Sequence, residues 1–183
     1  MNDKKLIDAC LRGGFEEFTK IMEKYRPKAL AMSFNILRNR EDAEDVCQNA
    51  FMKAYRNLGT FNQKNNFSSW FYTIVYNCCM DILRKRRRFS DFVRKEKSRS
   101  LSIFIEPDEN RASVYDKHIK NILGCLSPKE RAVLYLWACD RCSGEEIARI
   151  LNCSWSTARV HLFKARKKIK KIMEKKNDQL RNA

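Results

Sequence analysis

Two stretches of this chain combine residue types that nucleic-acid chemistry uses. Between Thr60 and Asn77 the aromatics Phe61, Phe67, Trp70, Phe71, Tyr72 and Tyr76 crowd beside the polar run Asn62-Gln63-Lys64-Asn65-Asn66. Rings supply stacking platforms, amides read unpaired base edges, and cations hold phosphates, which is what a single strand requires of its binder. The same rings could instead fill a small core, a reading that suits Trp70, Phe71 and Ile74; the loop amides have no such use. Farther on, Ser156, Thr157, Arg159, His161, Phe163 and Lys164 fall on the polar side of a helical pattern and offer donors for base edges and phosphates. Catalytic constellations do not emerge: no glycine-rich phosphate loop and no His-carboxylate metal pair is present. Cys139-Asp-Arg-Cys142 could chelate zinc only if Cys153 and His161 completed the set, and the second close-spaced pair of a zinc site is missing. No metal and no cofactor are therefore expected, and the other cysteines read as packing thiols.

The charge agrees with an anionic partner. The 183 residues carry 38 Lys and Arg against 22 Asp and Glu, a formal net charge of +16. Residues 84–99 hold nine cations and two acids, and residues 159–181 hold ten and two, so these segments account for +15 of the +16. Two discrete footprints argue for nucleic acid over an acidic membrane surface and over a uniform cationic coat. No run approaches the roughly 18 apolar residues of a membrane span, and the N-terminus lacks the apolar core of a secretory signal. A cytoplasmic location without stable membrane insertion is expected.

The elements that must position these residues are helical, since strand alternation and Gly-bearing hairpin pairs are scarce. The expected fold is all-α: two small helical domains, 1–88 and 114–183, joined by a flexible linker over 89–113 where periodicity fails. A first helical stretch covers about Asp3 to Ile36, interrupted near Gly13-Gly14 and again at Pro27. A second covers Arg40 to Asn57 with Ala43, Val46, Cys47, Ala50, Phe51 and Ala54 inward, and its outward face opens with acids suited to a protein partner. Ser68-Ser69 offers capping chemistry for a third helix that ends in Arg84-Lys-Arg-Arg-Arg88. Ser127 with Pro128, then Ser143-Gly-Glu-Glu146, start further helices. Ser143 to Lys168 has the pattern of a helix-turn-helix, with Ala148 small at the crossing, Asn152 suited to a left-handed turn, and Ser154 or Ser156 capping the second helix.

The strings DAEDVCQNAFMKAYRNLGTF and FSSWFYTIVYNCCMDILRKRRR resemble region two of bacterial sigma factors of the extracytoplasmic-function branch. The string LSPKERAVLYLWACDRCSGEEIARILNCSWSTARVHLFKARKKI resembles their region four. That resemblance implies core RNA polymerase and promoter DNA, duplex and melted strand, as partners, and an anti-sigma factor as a further one. It implies that Asp42, Glu44, Asp45, Gln48 and Asn49 dock on the polymerase. It also implies that Phe61, Asn62, Lys64, Asn65, Asn66 and Phe67 capture an unpaired base of the minus-ten element. Asn77, Arg84, Arg86 and Arg87 would hold the strand and upstream duplex, while Ser156, Thr157, Arg159, His161, Phe163 and Lys164 read the minus-thirty-five element. The alternative is a free-standing helix-turn-helix regulator that binds symmetric duplex sites without polymerase; a nucleic-acid hydrolase finds no supporting acid-base set.

Overall fold

A computed structural model describes residues 3–12, 15–96 and 122–181. The chain divides into two compact units, Met1–Asp108 and Glu109–Ala183. All regular structure among the described residues is helical.

In the first unit, α1 (Asp3–Leu11) packs on α2 (Phe15–Leu37), which packs in turn on α3 (Arg40–Arg56) and α4 (Phe67–Glu96). The inward set expected for α3 is the one buried. Its N-cap is Asn39, whose side chain accepts from the Asp42 N–H at 2.8 Å. Pro27 does not interrupt α2. It lies on the exposed flank with Glu23 and Arg26, where a carbonyl deprived of its N–H partner can turn to water. The Gly13-Gly14 break lies outside the described residues.

Two further expectations are corrected in α4. Its cap is Asn66, not the Ser68-Ser69 pair: the Asn66 side-chain oxygen accepts from the Ser68 N–H at 3.1 Å and its hydroxyl at 2.9 Å. The helix also runs on to Glu96, so residues 89–96 of the expected linker are helical; residues 97–113 lie outside the described residues. Apolar periodicity reports a packed face rather than helicity as such. Beyond Arg88 the large apolar side chains Phe89 and Phe92 are exposed, while good helix formers and the Arg87–Asp91 pair at i,i+4 sustain the backbone.

In the second unit, α5 (Pro128–Ala138) and α6 (Gly144–Ile150) both pack on α7 (Trp155–Arg181). Ser127 and Ser143 each form a full capping box, with Glu130 and Glu146 respectively, and Pro128 occupies the first turn. Between α6 and α7 the chain reverses through Asn152 at φ 48°. The Cys153 N–H reaches the Ala148 carbonyl at 3.0 Å and the Asn152 N–H reaches that of Arg149 at 3.1 Å, which is the Schellman pattern with its left-handed residue supplied by Asn. A β-branched residue tolerates that backbone poorly, so Asn152→Val is expected to cost the unit about 1–2 kcal/mol, and Asn152→Gly nothing. Urea unfolding midpoints of the two variants check this; equal midpoints would remove the turn's conformational demand.

Candidate nucleic-acid interface

The first unit's core is aromatic. Phe71 is fully buried, stacked on Phe51 at 4.7 Å between centroids and parallel to Phe67 at 6.0 Å, with Tyr25 edge-on to both Phe67 and Phe71. Phe61 and Phe67 belong to this core, at 7% and 3% exposure, and meet edge to face at 5.6 Å with Trp70 tilted against both. Both rings nevertheless line the hollow described below. A unit this small buries too little apolar surface to leave its largest rings in water. Tyr72 and Tyr76 are buried as well.

Above those two rings the polar loop stands exposed. Asn62 turns its side-chain oxygen to the Lys64 N–H at 3.0 Å, and the Asn65 N–H closes the turn on the Asn62 carbonyl at 2.9 Å. Asn62 and Asn66 thus shape the loop with their oxygens. The Asn65 side chain makes no hydrogen bond among the described residues. A hollow of about 230 Å³ opens here, floored by Phe61 and Phe67 and rimmed by Gln63, Asn65 and Asn66. Its far wall is Asp3, Lys4 and Ile7 of α1, which the sequence reading did not assign to the site. Gln63 ties the loop to α1 by donating to Asp8 at 2.6 Å, and Asp3 is held by Lys24 at 2.5 Å and by the Tyr25 hydroxyl at 2.6 Å. Contacts across 55 residues leave no local trace; the only legible signal was the amphipathic Leu6, Ile7 and Cys10 set, which says that α1 packs but not where.

Along α4, Asn77 and the cluster Arg84 to Arg88 are exposed. Arg84 pairs with Asp81 at 2.6 Å and Arg87 with Asp91 at 3.8 Å, both on the surface, where such pairs are weak enough for a phosphate to displace. Arg86 pairs with Asp42 of α3. Arg86, expected on the DNA side, and Asp42, expected on the polymerase side, thus hold each other. The outward face of α3 that remains is Glu44, Asp45, Gln48 and Asn49, with Glu44 held by Arg40 at 3.0 Å. Exposed Met52 continues it one turn on and was missed, because one apolar residue among polar ones carries no periodic signal. Cys10, Cys47, Cys78 and Cys79 are buried, and burial pushes the Cys79 thiol up to about 12, so it packs as a neutral side chain. Among the described residues no three His, Cys, Asp or Glu side chains are grouped to hold a metal.

In the second unit, Ser154 caps α7, accepting from the Thr157 N–H at 3.2 Å, and its hydroxyl lies 2.9 Å from that of Ser156 and 2.8 Å from that of Thr157. Ala158 and Ala165 face inward; Arg159, Phe163 and Lys164 face solvent. Trp155 and Val160, not foreseen as surface residues, are exposed on the same helix. His161 is half-buried, and burial together with Lys129 holds its ring below the usual histidine range, favouring the neutral form that can accept as well as donate. The helix is anchored from behind by Glu130, 4% exposed, which accepts from the Lys168 ammonium at 2.7 Å and from the Ser127 N–H at 2.8 Å. Burial alone would raise the Glu130 carboxyl, but these donors outweigh it and hold it below its ordinary 4.5. A depressed acid stabilises the fold above its unfolded value and loses that contribution as pH falls through the folded one. Lys168→Met is therefore expected to cost about 1 kcal/mol at neutral pH, since Lys168 is half-exposed, and wild type and variant should converge as pH falls through the lowered Glu130 value. Thermal melts of both across that range check the sign.

The sigma-70 region 2 family pattern matches residues 21–89, and the sigma-70 region 4 pattern matches residues 118–169, together about two-thirds of the chain and in that order. The chain belongs to the sigma-70 family, in its extracytoplasmic-function branch. It is 29% identical to the RNA polymerase sigma-H factor of Pseudomonas aeruginosa over 94% of each chain. It is 27% identical to the ECF RNA polymerase sigma factor SigW of Bacillus subtilis, over 92% of this chain and 95% of that one. Solved structures share the fold. The sigma factor RpoE from Bartonella quintana, bound to the anti-sigma factor NepR, gives a TM-score of 0.68 at 22% identity over 87% of this chain and 98% of that one. CnrH in complex with the cytosolic domain of CnrY gives 0.71 at 20% identity over 94% and 97%. Sigma factors are not enzymes. In this sigma factor the region 2 match spans most of α2, all of α3 and most of α4, but not α1, which supplies the hollow's far wall. The region 4 match ends at residue 169, inside α7, which continues to Arg181.

Proposed function

We propose that this chain is a promoter-specificity subunit that lends base recognition to core RNA polymerase and assists promoter melting, with no catalytic activity of its own. The observation that carries this reading is the ordered pair of family matches, each falling on a unit whose exposed polar side chains suit one form of DNA. In the first unit, an unpaired minus-ten base enters the hollow between the loop and α1, meeting Asn65 and Asn66 at its rim, with Asn62 and Lys64 beside it on the exposed loop. Phe61 and Phe67 shape the floor from within the core. A hollow of about 230 Å³ is smaller than the roughly 300–1,000 Å³ of a typical ligand pocket and is of the order of one planar base. Asn77, Arg84 and Arg87, with Arg86 once released from Asp42, hold phosphates of the strand and the upstream duplex.

In the second unit, α6 braces α7 so that Ser156, Thr157, Arg159, Phe163 and Lys164 enter the major groove of the minus-thirty-five element, with His161 at the edge of that face. The acidic face of α3, Glu44, Asp45, Gln48 and Asn49, docks on the polymerase. The domains of this reading are region 2 over 1–88, a connector over 89–113 that begins as the end of α4, and region 4 over 114–183. An anti-sigma factor is a further partner, in keeping with the solved complexes of the fold's relatives. The site of action is the cytoplasm; no described helix is long and apolar enough to cross a membrane.

The test is transcription from a sheared genomic library by purified core polymerase, with and without this protein, mapping new RNA starts. Protein-dependent starts that share two short elements at fixed spacing support the reading. Active core, folded protein and no new starts would overturn it in favour of a free-standing regulator.

A further inference from the structure

The first residue of α7, Trp155, is half-exposed, and its indole is not buried in the unit's core. Two features account for where its indole lies. On one side is Gly144, the first residue of α6: a Cβ there would stand 2.6 Å from the indole Nε1 and 3.1 Å from its neighbouring ring carbon, so only glycine leaves room for the ring in this position. On the other side is Arg159, one turn along α7, whose guanidinium carbon lies 5.2 Å from the ring centroid. Residues four apart share a helix face, so the ring and the guanidinium project together from the end of the helix that enters the groove.

A free arginine side chain samples many rotamers, and binding must freeze them; a guanidinium already resting on an aromatic plane has less freedom to lose. A guanidinium held over a ring by one face keeps its in-plane N–H groups free to donate. That is the presentation needed for the paired donors that recognise guanine O6 and N7 in the major groove.

We propose that Trp155 is a positioning residue for Arg159: wedged over Gly144, its indole holds the guanidinium in the orientation that reads a guanine of the upstream promoter element. The proposal rests on the reading of α7 as the duplex-reading helix. It separates three residues by role. Arg159 touches the base, Trp155 orients Arg159, and Gly144 sets the place of Trp155.

The experiment is transcription by reconstituted holoenzyme from a template library randomised across the upstream element, run for wild type, Arg159→Ala, Trp155→Leu, Trp155→Phe, Gly144→Ala and the double variant Trp155→Leu/Arg159→Ala, with a thermal melt of each. Wild type should prefer guanine at one position and Arg159→Ala should abolish that preference. Trp155→Leu should reduce it about two- to fivefold, the worth of an exposed cation–π contact, and Trp155→Phe should retain most of it. Gly144→Ala should reduce the same preference without lowering the melt, because alanine is the better helix former while its methyl displaces the indole. In the Arg159→Ala background, Trp155→Leu should have no further effect. If Arg159→Ala erases a base preference and neither Trp155→Leu nor Gly144→Ala changes it, the positioning role is overturned and the reading of α7 stands. An additive effect in the double variant, or a loss equal at every position and matched by a lower melt, also overturns that role. If Arg159→Ala changes no position, the reading of α7 itself fails.

Discussion

Phe67→Ala is expected to lower the stability of the N-terminal unit by about 3–5 kcal/mol, the usual cost of deleting a buried phenyl ring. The ring is 3% exposed and touches Tyr25, Phe61, Trp70 and Phe71, so no neighbour can fill the space without breaking another contact. For a small unit near the low end of the about 5–15 kcal/mol typical of a domain, this loss leaves a large unfolded population at growth temperature. Both polymerase binding and promoter opening should fall together. Asn65→Ala should behave otherwise. Its side chain is exposed on the rim of the hollow and supports nothing within the unit, so unfolding should shift by less than about 0.5 kcal/mol. Promoter opening, followed by the reactivity of unpaired thymines, should slow by about two- to tenfold, one hydrogen bond's worth, with polymerase binding unchanged. A Phe67→Ala protein as stable as wild type would mean that the ring is not core, and normal opening by Asn65→Ala would remove the hollow from base capture.

The second large effect concerns the acidic face of α3. Glu44→Lys combined with Asp45→Lys places two cations where the proposed docking surface offers anions, and like-charge contact at an interface costs several kcal/mol. A loss of polymerase affinity of about 100-fold or more is expected. Neither side chain is buried, and among the described residues Glu44 bonds only to Arg40 across one helical turn, so the fold should survive. Affinity for core polymerase measured by titration, beside a melt of the variant, gives the answer. Unchanged affinity with an intact melt would move the docking surface elsewhere.

What was legible in the sequence was local. Capping boxes at Ser127 and Ser143, the proline in the first turn of α5, the left-handed Asn152 and the buried stripe of α3 each follow from residues within one or two turns of each other. What escaped was set by tertiary partners. Whether Phe61 and Phe67 face solvent or core depends on Tyr25 and Phe71 arriving from other helices. That Asp42 meets Arg86, and Gln63 meets Asp8, depends on how α3, α4 and α1 are stacked. The extent of α4 escaped for a different reason: an exposed helix has no inward stripe to betray it, and the loss of periodicity reads as the start of a linker.

That single rod has a metric consequence. Phe67, beneath the hollow, and Arg84, at the head of the basic cluster, stand 17 residues apart on one uninterrupted helix, which at 1.5 Å per residue is about 25 Å. DNA advances about 3.4 Å per base pair, so the helix spans the length of about seven steps of duplex. α4 is in this sense a gauge. On the proposed reading it ties the distance between the captured base and the upstream phosphates to the backbone geometry of the protein, so that promoters that lengthen or shorten that interval would have to deform to fit it.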